Sequence, residues 1–69
     1  YDCREVNGPA STVRVAERPD GYVVSSTGET IPMADARVRR SPDGRFHWCS
    51  RGGRDDGATI CLFVPPRGF

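Results

Sequence analysis

Polar and apolar residues alternate in short segments along the first half of the chain. Residues 11–17 (STVRVAE) alternate clearly, and residues 22–27 (YVVSST) are also rich in β-branched side chains, which is typical of strands with one buried face. The intervening RPDG at 18–21 predicts a hairpin with a type I turn followed by a bulge at Gly21. Residues 31–33 (IPM) predict a short edge strand, because proline has no N–H to donate to a neighbouring strand.

A second Pro-Asp-Gly sequence lies at 42–44, after a segment (ADARVRR) that is too short to nucleate a helix readily. We therefore expect a second hairpin here, with strands on both sides of the turn. A three-residue loop sets Val38 opposite Trp48 and Ala36 opposite Ser50.

The segment 45–64 (RFHWCSRGGRDDGATICLFV) predicts the last hairpin, with a Gly- and Asp-rich loop in its middle. Pairing Arg51 with Thr59 sets three further pairs opposite one another: Trp48 with Leu62, Phe46 with Val64, and Cys49 with Cys61. Because side chains alternate along a strand, one face is predicted to form the core. Its members are Ala36, Val38, Phe46, Trp48, Ile60, Leu62 and Val64.

These elements predict one all-β domain over residues 1–69. It is a small antiparallel meander or partly open barrel of about five short strands with tight Pro-Asp-Gly turns. Residues 1–9 form an N-terminal arm or strand, and residues 65–69 an extended tail. Only 36% of the 69 residues are apolar, so we expect a disulfide to supplement the small core. No apolar run approaches the roughly 20 residues that span a membrane.

The chain has three cysteines, at positions 3, 49 and 61. Cysteines directly opposite each other on antiparallel strands lie within disulfide range, which favours a bond between Cys49 and Cys61. Cys3 is then free, bonds to another chain, or displaces one partner so that the N-terminal arm is tied to Cys49 or Cys61. A disulfide, together with a first residue that is Tyr1 rather than Met, predicts an exported protein, either periplasmic or secreted.

The sequence contains few candidates for a metal-binding or catalytic site. A zinc site built from the cysteines and His47 lacks the Cys-x-x-Cys spacing of such sites. The Asp-Asp-Gly turn at 55–57 has too few oxygen ligands for calcium. No nucleophile signature surrounds the cysteines and His47, and the common nucleotide-binding and hydrolase motifs are missing. The sequence therefore predicts no metal, no cofactor and no catalytic site.

The face opposite the predicted core is the candidate binding surface. Its residues are Arg37, Arg39, His47 and Phe63, with Arg51 and Arg54 toward one end. Ten basic residues, all arginine, nearly balance nine acidic ones, and the net charge of +1 is too small to steer a partner by itself. Arginine and aromatic residues are favoured in protein interfaces, which predicts a small protein-binding or inhibitory module.

Two other functions remain open for the same face. A small β-barrel can stack the bases of single-stranded nucleic acid on arginine and aromatic side chains. The chain can also be an accessory subunit of a larger assembly, in which it supplies a surface and not the chemistry. A third interpretation assigns the arginines no ligand, with their aliphatic stems packed along the sheet.

Overall fold

The computed structural model describes residues 2–66, and within them it confirms the all-β prediction. Seven strands follow one another, more than the number expected, and a short 3-10 turn at Arg51–Gly53 follows the sixth. They are β1 (Asp2–Glu5), β2 (Val15–Arg18), β3 (Gly21–Val24), β4 (Thr30–Pro32), β5 (Val38–Arg40), β6 (His47–Ser50) and β7 (Thr59–Val64). They form a large sheet in the order β1-β6-β7-β5 and a small sheet in the order β2-β3-β4, with no closed barrel among the described residues.

The small sheet contains the predicted first hairpin, and β4 extends it as the expected edge strand. Arg18 pairs with Gly21, so the loop consists of Pro19 and Asp20 alone. Gly21 has a φ of 154° and not the left-handed helical conformation of the predicted turn and bulge. A Cβ at this position would overlap the carbonyl oxygen of Ile31 on β4. Glycine is therefore required because β4 approaches the backbone of β3 closely.

The last hairpin has the predicted register over most of its length. Trp48 pairs with Leu62, and Cys49 pairs with Cys61. Residues that lie directly opposite each other project to the same face of a sheet, so the indole of Trp48 and the side chain of Leu62 lie on the same side of the large sheet. Both are completely buried, as the sequence predicted.

One end of this hairpin departs from the prediction. A bulge lies between Cys49 and Ser50, so Ser50 pairs with Thr59, and the predicted pairing of Arg51 with Thr59 is wrong by one residue. The cause is the loop, because the 3-10 turn begins at Arg51 and continues through Gly52 at a φ of 67°. That left-handed conformation suits glycine and ends the strand early.

The predicted pairing of β5 with β6 is wrong. Val38 pairs with Leu62 in a parallel arrangement, so β7 lies between β5 and β6. The backbone N–H of Ser41 donates to the carbonyl of Val64 at 2.7 Å and extends the contact of β5 with β7. The second Pro-Asp-Gly sequence therefore carries the chain across the end of β7. Two parallel strands need a long connection between them. The connection from β5 to β7 is long because it contains β6.

The core lies between the two sheets. Of the predicted core face, Val38, Phe46 and Val64 pack against it as partly buried side chains, in addition to the buried Trp48 and Leu62. The small sheet and the first loop contribute the remaining buried apolar residues: Val6, Val13, Val15, Tyr22, Val24 and Ile31. Two predicted members differ. Ile60 is half-buried beside the bulge, and Ala36 is exposed because it precedes β5 in a turn and does not pair with Ser50.

The disulfide joins Cys3 on β1 to Cys49 on β6, and Cys61 is a free thiol. The predicted bond between Cys49 and Cys61 is therefore wrong, and the alternative that ties the N-terminal arm to Cys49 is correct. The reason is that β1 pairs with the other edge of β6 and sets Cys3 opposite Cys49 as well. Cys49 thus has a cysteine opposite it on both sides.

The predicted arm at 1–9 contains β1. Tyr1 and residues 67–69 of the predicted tail lie outside the described residues. Among residues 2–66 there is no helix long and apolar enough to cross a membrane.

Candidate functional site

Three predicted binding residues lie side by side on the large sheet. His47 on β6 pairs with Phe63 on β7, and Phe63 pairs with Arg39 on β5. Trp48 and Leu62, one position further along, face the core, so these three side chains point to the opposite side. We call Arg39, His47 and Phe63 the outer-face site.

The outer-face site has an aromatic centre. The rings of His47 and Phe63 meet edge to face, with centroids 6.5 Å apart and an angle of 80° between their planes, an arrangement that aromatic pairs favour. Beside them is an open, mostly apolar depression of about 290 Å³. The residues that line it are Cys3, Pro42, Asp43, His47 and Phe63.

Asp43 fixes the orientation of His47. Its carboxylate lies 2.8 Å from Nε2 of His47, and it also accepts hydrogen bonds from the hydroxyl of Ser41 at 2.7 Å and the backbone N–H of Arg45 at 3.0 Å. The hydrogen bonds from Ser41, Arg45 and His47 hold the pKa of Asp43 at about 2, well below its usual value. Asp43 is therefore ionised at neutral pH, and it anchors the ring that forms one wall of the depression.

Arg39 differs from four other arginines of the chain in its charge environment. Its side chain is exposed, and it forms no ion pair with any side chain that the structure describes. In contrast, several arginines elsewhere each pair with a carboxylate: Arg4 with Asp55, Arg37 with Asp35 and Glu29, Arg45 with Glu5, and Arg54 with Asp56. The outer-face site thus combines an aromatic ring with an unneutralised guanidinium.

Arg37 lies apart from this site, although the sequence groups it with Arg39. Its guanidinium pairs with Asp35 at 2.9 Å and with Glu29 at 2.9 Å. Hydrogen bonds to these carboxylates raise the pKa of Arg37, and the hydrogen bonds from Arg37 lower the pKa of Asp35 to about 2. The charge of Arg37 is consequently neutralised within the protein.

Glu29 connects this ion pair to the core. Its carboxylate accepts hydrogen bonds from the hydroxyl of Thr59 at 2.5 Å and from the backbone N–H of Thr59 at 3.2 Å. Burial acts to raise the pKa of Glu29, but the hydrogen bonds from Thr59 and Arg37 outweigh it, and the pKa is lowered. Glu29 precedes β4 and Thr59 lies on β7, so the network ties the two sheets together. We assign Arg37 to this structural network.

Arg51 and Arg54 lie in the loop after β6, at the opposite end of that strand from His47. Both are exposed, and Arg54 pairs with Asp56 at 3.0 Å. They line a separate open groove of about 430 Å³ and are not brought together with the outer-face site.

Sequence reasoning missed three of the residues that line the depression: Cys3, Pro42 and Asp43. The spacing of Asp43 and His47 carries a usable signal, because Asp43 lies in the turn four residues before His47, and a turn aspartate can bond to groups that follow it in the chain. Nothing in the sequence brings Cys3 to this place, since the pairing of β1 with β6 joins distant parts of the chain.

Within residues 2–66 no group of three or more His, Cys, Asp and Glu side chains is arranged to hold a metal ion. Comparison of the chain with protein-family models, with curated proteins and with solved structures found no match.

Proposed function

We propose that the protein is a small exported binding or inhibitory module that docks another protein on its outer-face site. The observation that carries the proposal is the position of Arg39 next to the aromatic pair of Phe63 and His47. Arg39 is exposed, it has no ion-pair partner among the described side chains, and it lies beside Phe63 on the neighbouring strand. Arginine and aromatic side chains in contact are typical anchors of protein interfaces.

The geometry favours a particular partner chemistry. A carboxylate of the partner can form a two-pronged ion pair with the planar guanidinium of Arg39. An aliphatic or aromatic side chain next to that carboxylate can enter the depression, whose volume of about 290 Å³ suits a single side chain. We therefore infer that the partner presents an acidic residue adjacent to an apolar one.

The disulfide supports the location that the proposal requires. Such bonds persist in oxidising compartments and are rare in the cytosol. Fractionation of the producing cells checks this point. We expect the chain outside the cytoplasm with its bond intact, and a reduced cytoplasmic pool as the main form would overturn the exported assignment.

Selection from a random peptide library tests the binding function. The oxidised protein serves as bait, and the selected peptides are measured by fluorescence anisotropy against wild type, Arg39→Ser and Phe63→Ala. We expect enrichment of peptides with Asp or Glu beside an apolar residue, and at least tenfold weaker binding to both variants. Arg40→Ser is the matched control, because Arg40 is also exposed but faces the other side of β5.

Two results would contradict the proposal. One is a selection without enrichment, or with peptides that bind Arg39→Ser as tightly as wild type. The other is binding of a single-stranded oligonucleotide that weakens steeply with salt and is lost in Arg39→Ser, which indicates phosphate contacts. That second result would assign the outer-face site to nucleic acid instead.

A further inference from the structure

Three cysteines form a row across adjacent strands of the large sheet. Cys3 on β1 pairs with Cys49 on β6, and Cys49 pairs with Cys61 on β7. Residues directly opposite each other in antiparallel strands project to the same face. The central residue, Cys49, is therefore bonded to Cys3 on one side and has a free thiol, that of Cys61, on the other.

This order of strands suits thiol–disulfide exchange. In that reaction a thiolate attacks one sulfur of a disulfide, and the other sulfur leaves. The attack is collinear, from the side opposite the leaving sulfur. Because β1 and β7 flank β6 on opposite sides, Cys61 faces Cys49 from the side away from Cys3. Cα atoms of such opposed residues are about 4.5–5.5 Å apart, a separation that a disulfide can bridge.

Burial restricts which thiol can reach the central sulfur. Cys49 is only 2% exposed, so a thiol from solution has little access to it. Cys61 is half-buried and adjacent, and Cys3 is exposed. Among the described residues, Cys61 is thus the one nucleophile placed to attack Cys49.

We propose that Cys3, Cys49 and Cys61 form an intramolecular thiol–disulfide exchange site. The thiolate of Cys61 attacks Sγ of Cys49, the Cys49–Cys61 bond forms as the Cys3–Cys49 bond breaks, and Cys3 leaves as a thiolate. Cys3 then takes up the proton that Cys61 released. One disulfide and one thiol are present before and after, so the step requires no oxidant or reductant.

The exchange has two structural consequences. The free thiol moves from a half-buried position on β7 to the exposed Cys3, which lines the depression beside His47 and Phe63. Strand β1 also loses its covalent tie to β6 and is then held by the strand pairing alone. The inference does not depend on the proposed binding function, since it rests on the cysteine row.

Irreversible alkylation tests the exchange. The oxidised full chain is incubated in native buffer with iodoacetamide, quenched with acid and digested with trypsin. Cleavage after Arg4, Arg45, Arg51 and Arg54 leaves each cysteine in its own peptide, so mass spectrometry identifies both the alkylated thiol and the remaining bond. We expect alkylated Cys3 together with a Cys49–Cys61 bond, accumulating at a rate independent of protein concentration.

Three variants make the result decisive. Cys61→Ser lacks the nucleophile, and we expect no alkylation of its native form. Cys3→Ser, placed in a glutathione redox buffer, should form the Cys49–Cys61 bond within the monomer. Cys49→Ser should form no internal bond, because β6 separates its two remaining cysteines. Near-ultraviolet circular dichroism of Trp48 establishes that each variant is folded.

Two outcomes overturn the proposal. In the first, wild type is alkylated at Cys61 alone, with the Cys3–Cys49 bond intact at all times. In the second, folded Cys3→Ser keeps two free thiols in the redox buffer, which shows that Cys49 and Cys61 cannot reach each other.

Discussion

The hydroxyl of Thr59 accepts a hydrogen bond of 2.8 Å from the indole nitrogen of Trp48. Trp48 is among the largest fully buried side chains of the domain, and its single polar atom is satisfied from the neighbouring strand. The same hydroxyl donates to Glu29 at 2.5 Å. A polar connection therefore runs from the centre of the core to the ion pair of Arg37 and links the two sheets.

Thr59→Val should destabilise the fold although it preserves shape and adds apolar surface. The indole N–H of Trp48 is left without its acceptor, and an unsatisfied buried donor costs about 1–3 kcal/mol. Urea unfolding monitored by Trp48 fluorescence measures the change. Thr30→Val on the exposed side of β4 is the control and should change stability by less than about 0.5 kcal/mol. Equal stability of Thr59→Val and wild type would contradict this account of the core.

Arg37 and Arg39 should respond differently to replacement by methionine. Arg37→Met leaves Glu29 and Asp35 without their cation, and we expect a loss of about 1 kcal/mol, limited because the pair is one-third exposed to solvent. Arg39→Met should leave the unfolding free energy within about 0.5 kcal/mol. Urea unfolding of the two variants measures the difference. An equal loss of stability in both would mean that Arg39, like Arg37, contributes to the stability of the fold.

The sequence predicts some strand pairings correctly and others not, for identifiable reasons. The pairing of β6 with β7 is predictable because both strands alternate and one short loop joins them. The position of β5 is not predictable, because the same Pro-Asp-Gly sequence joins different kinds of strands. At 19–21 it connects two strands that pair with each other, whereas at 42–44 it connects β5 to β6, which β7 separates. Hydrogen bonds of Ser41 and Asp43 distinguish the second loop, and these form only in the folded chain.

The candidate site was predictable to a similar degree. Alternation alone places His47 and Phe63 on the face away from the core. Arg37 is not part of the outer-face site because it bonds to Glu29. Glu29 comes within reach of Arg37 only after the two sheets pack. The bond of Cys3 depends on β1, whose sequence has no alternation from which a register can be derived.

Gly21→Ala should be much more costly than an alanine at another glycine with positive φ. At Gly21 a Cβ overlaps the backbone of Ile31, which has no flexible end to move aside. At Gly28, with a φ of 72°, no atom beyond the adjacent residues lies within 4 Å of the added Cβ. We therefore expect Gly28→Ala to cost about 1 kcal/mol from its backbone conformation alone.

Thermal unfolding of the two alanine variants tests this prediction. Gly21→Ala should cost more than about 2 kcal/mol, because β4 must move away from β3. If both variants melt together, the close approach of β3 and β4 at Ile31 is not a constraint on the fold.

Stability should fall in acid between about pH 4 and pH 2. The pKa values of Asp35 and Asp43 are lowered from 3.8 to about 2, and that of Glu29 is lowered as well. A carboxylate with a lowered folded-state pKa stabilises the fold above its unfolded-state pKa, and this contribution is lost as the pH falls through the folded-state value. Melting temperatures from pH 6 to pH 2 measure it. Asp43→Asn should show a shallower decline, and an unchanged slope would argue against the hydrogen bonds of Asp43.

The Cys3–Cys49 bond should supply a large part of the total stability. It joins residues 46 apart in the sequence, and closing a loop of that length contributes about 4 kcal/mol in the chain-entropy description. A small domain has little more than this to lose. Cys61→Ser is the right background for the measurement, because it retains this bond and removes the thiol that can exchange with it. We expect its oxidised form to unfold cooperatively in urea and its reduced form to be largely unfolded at room temperature, and coincident midpoints would mean that the two sheets hold together without the bond.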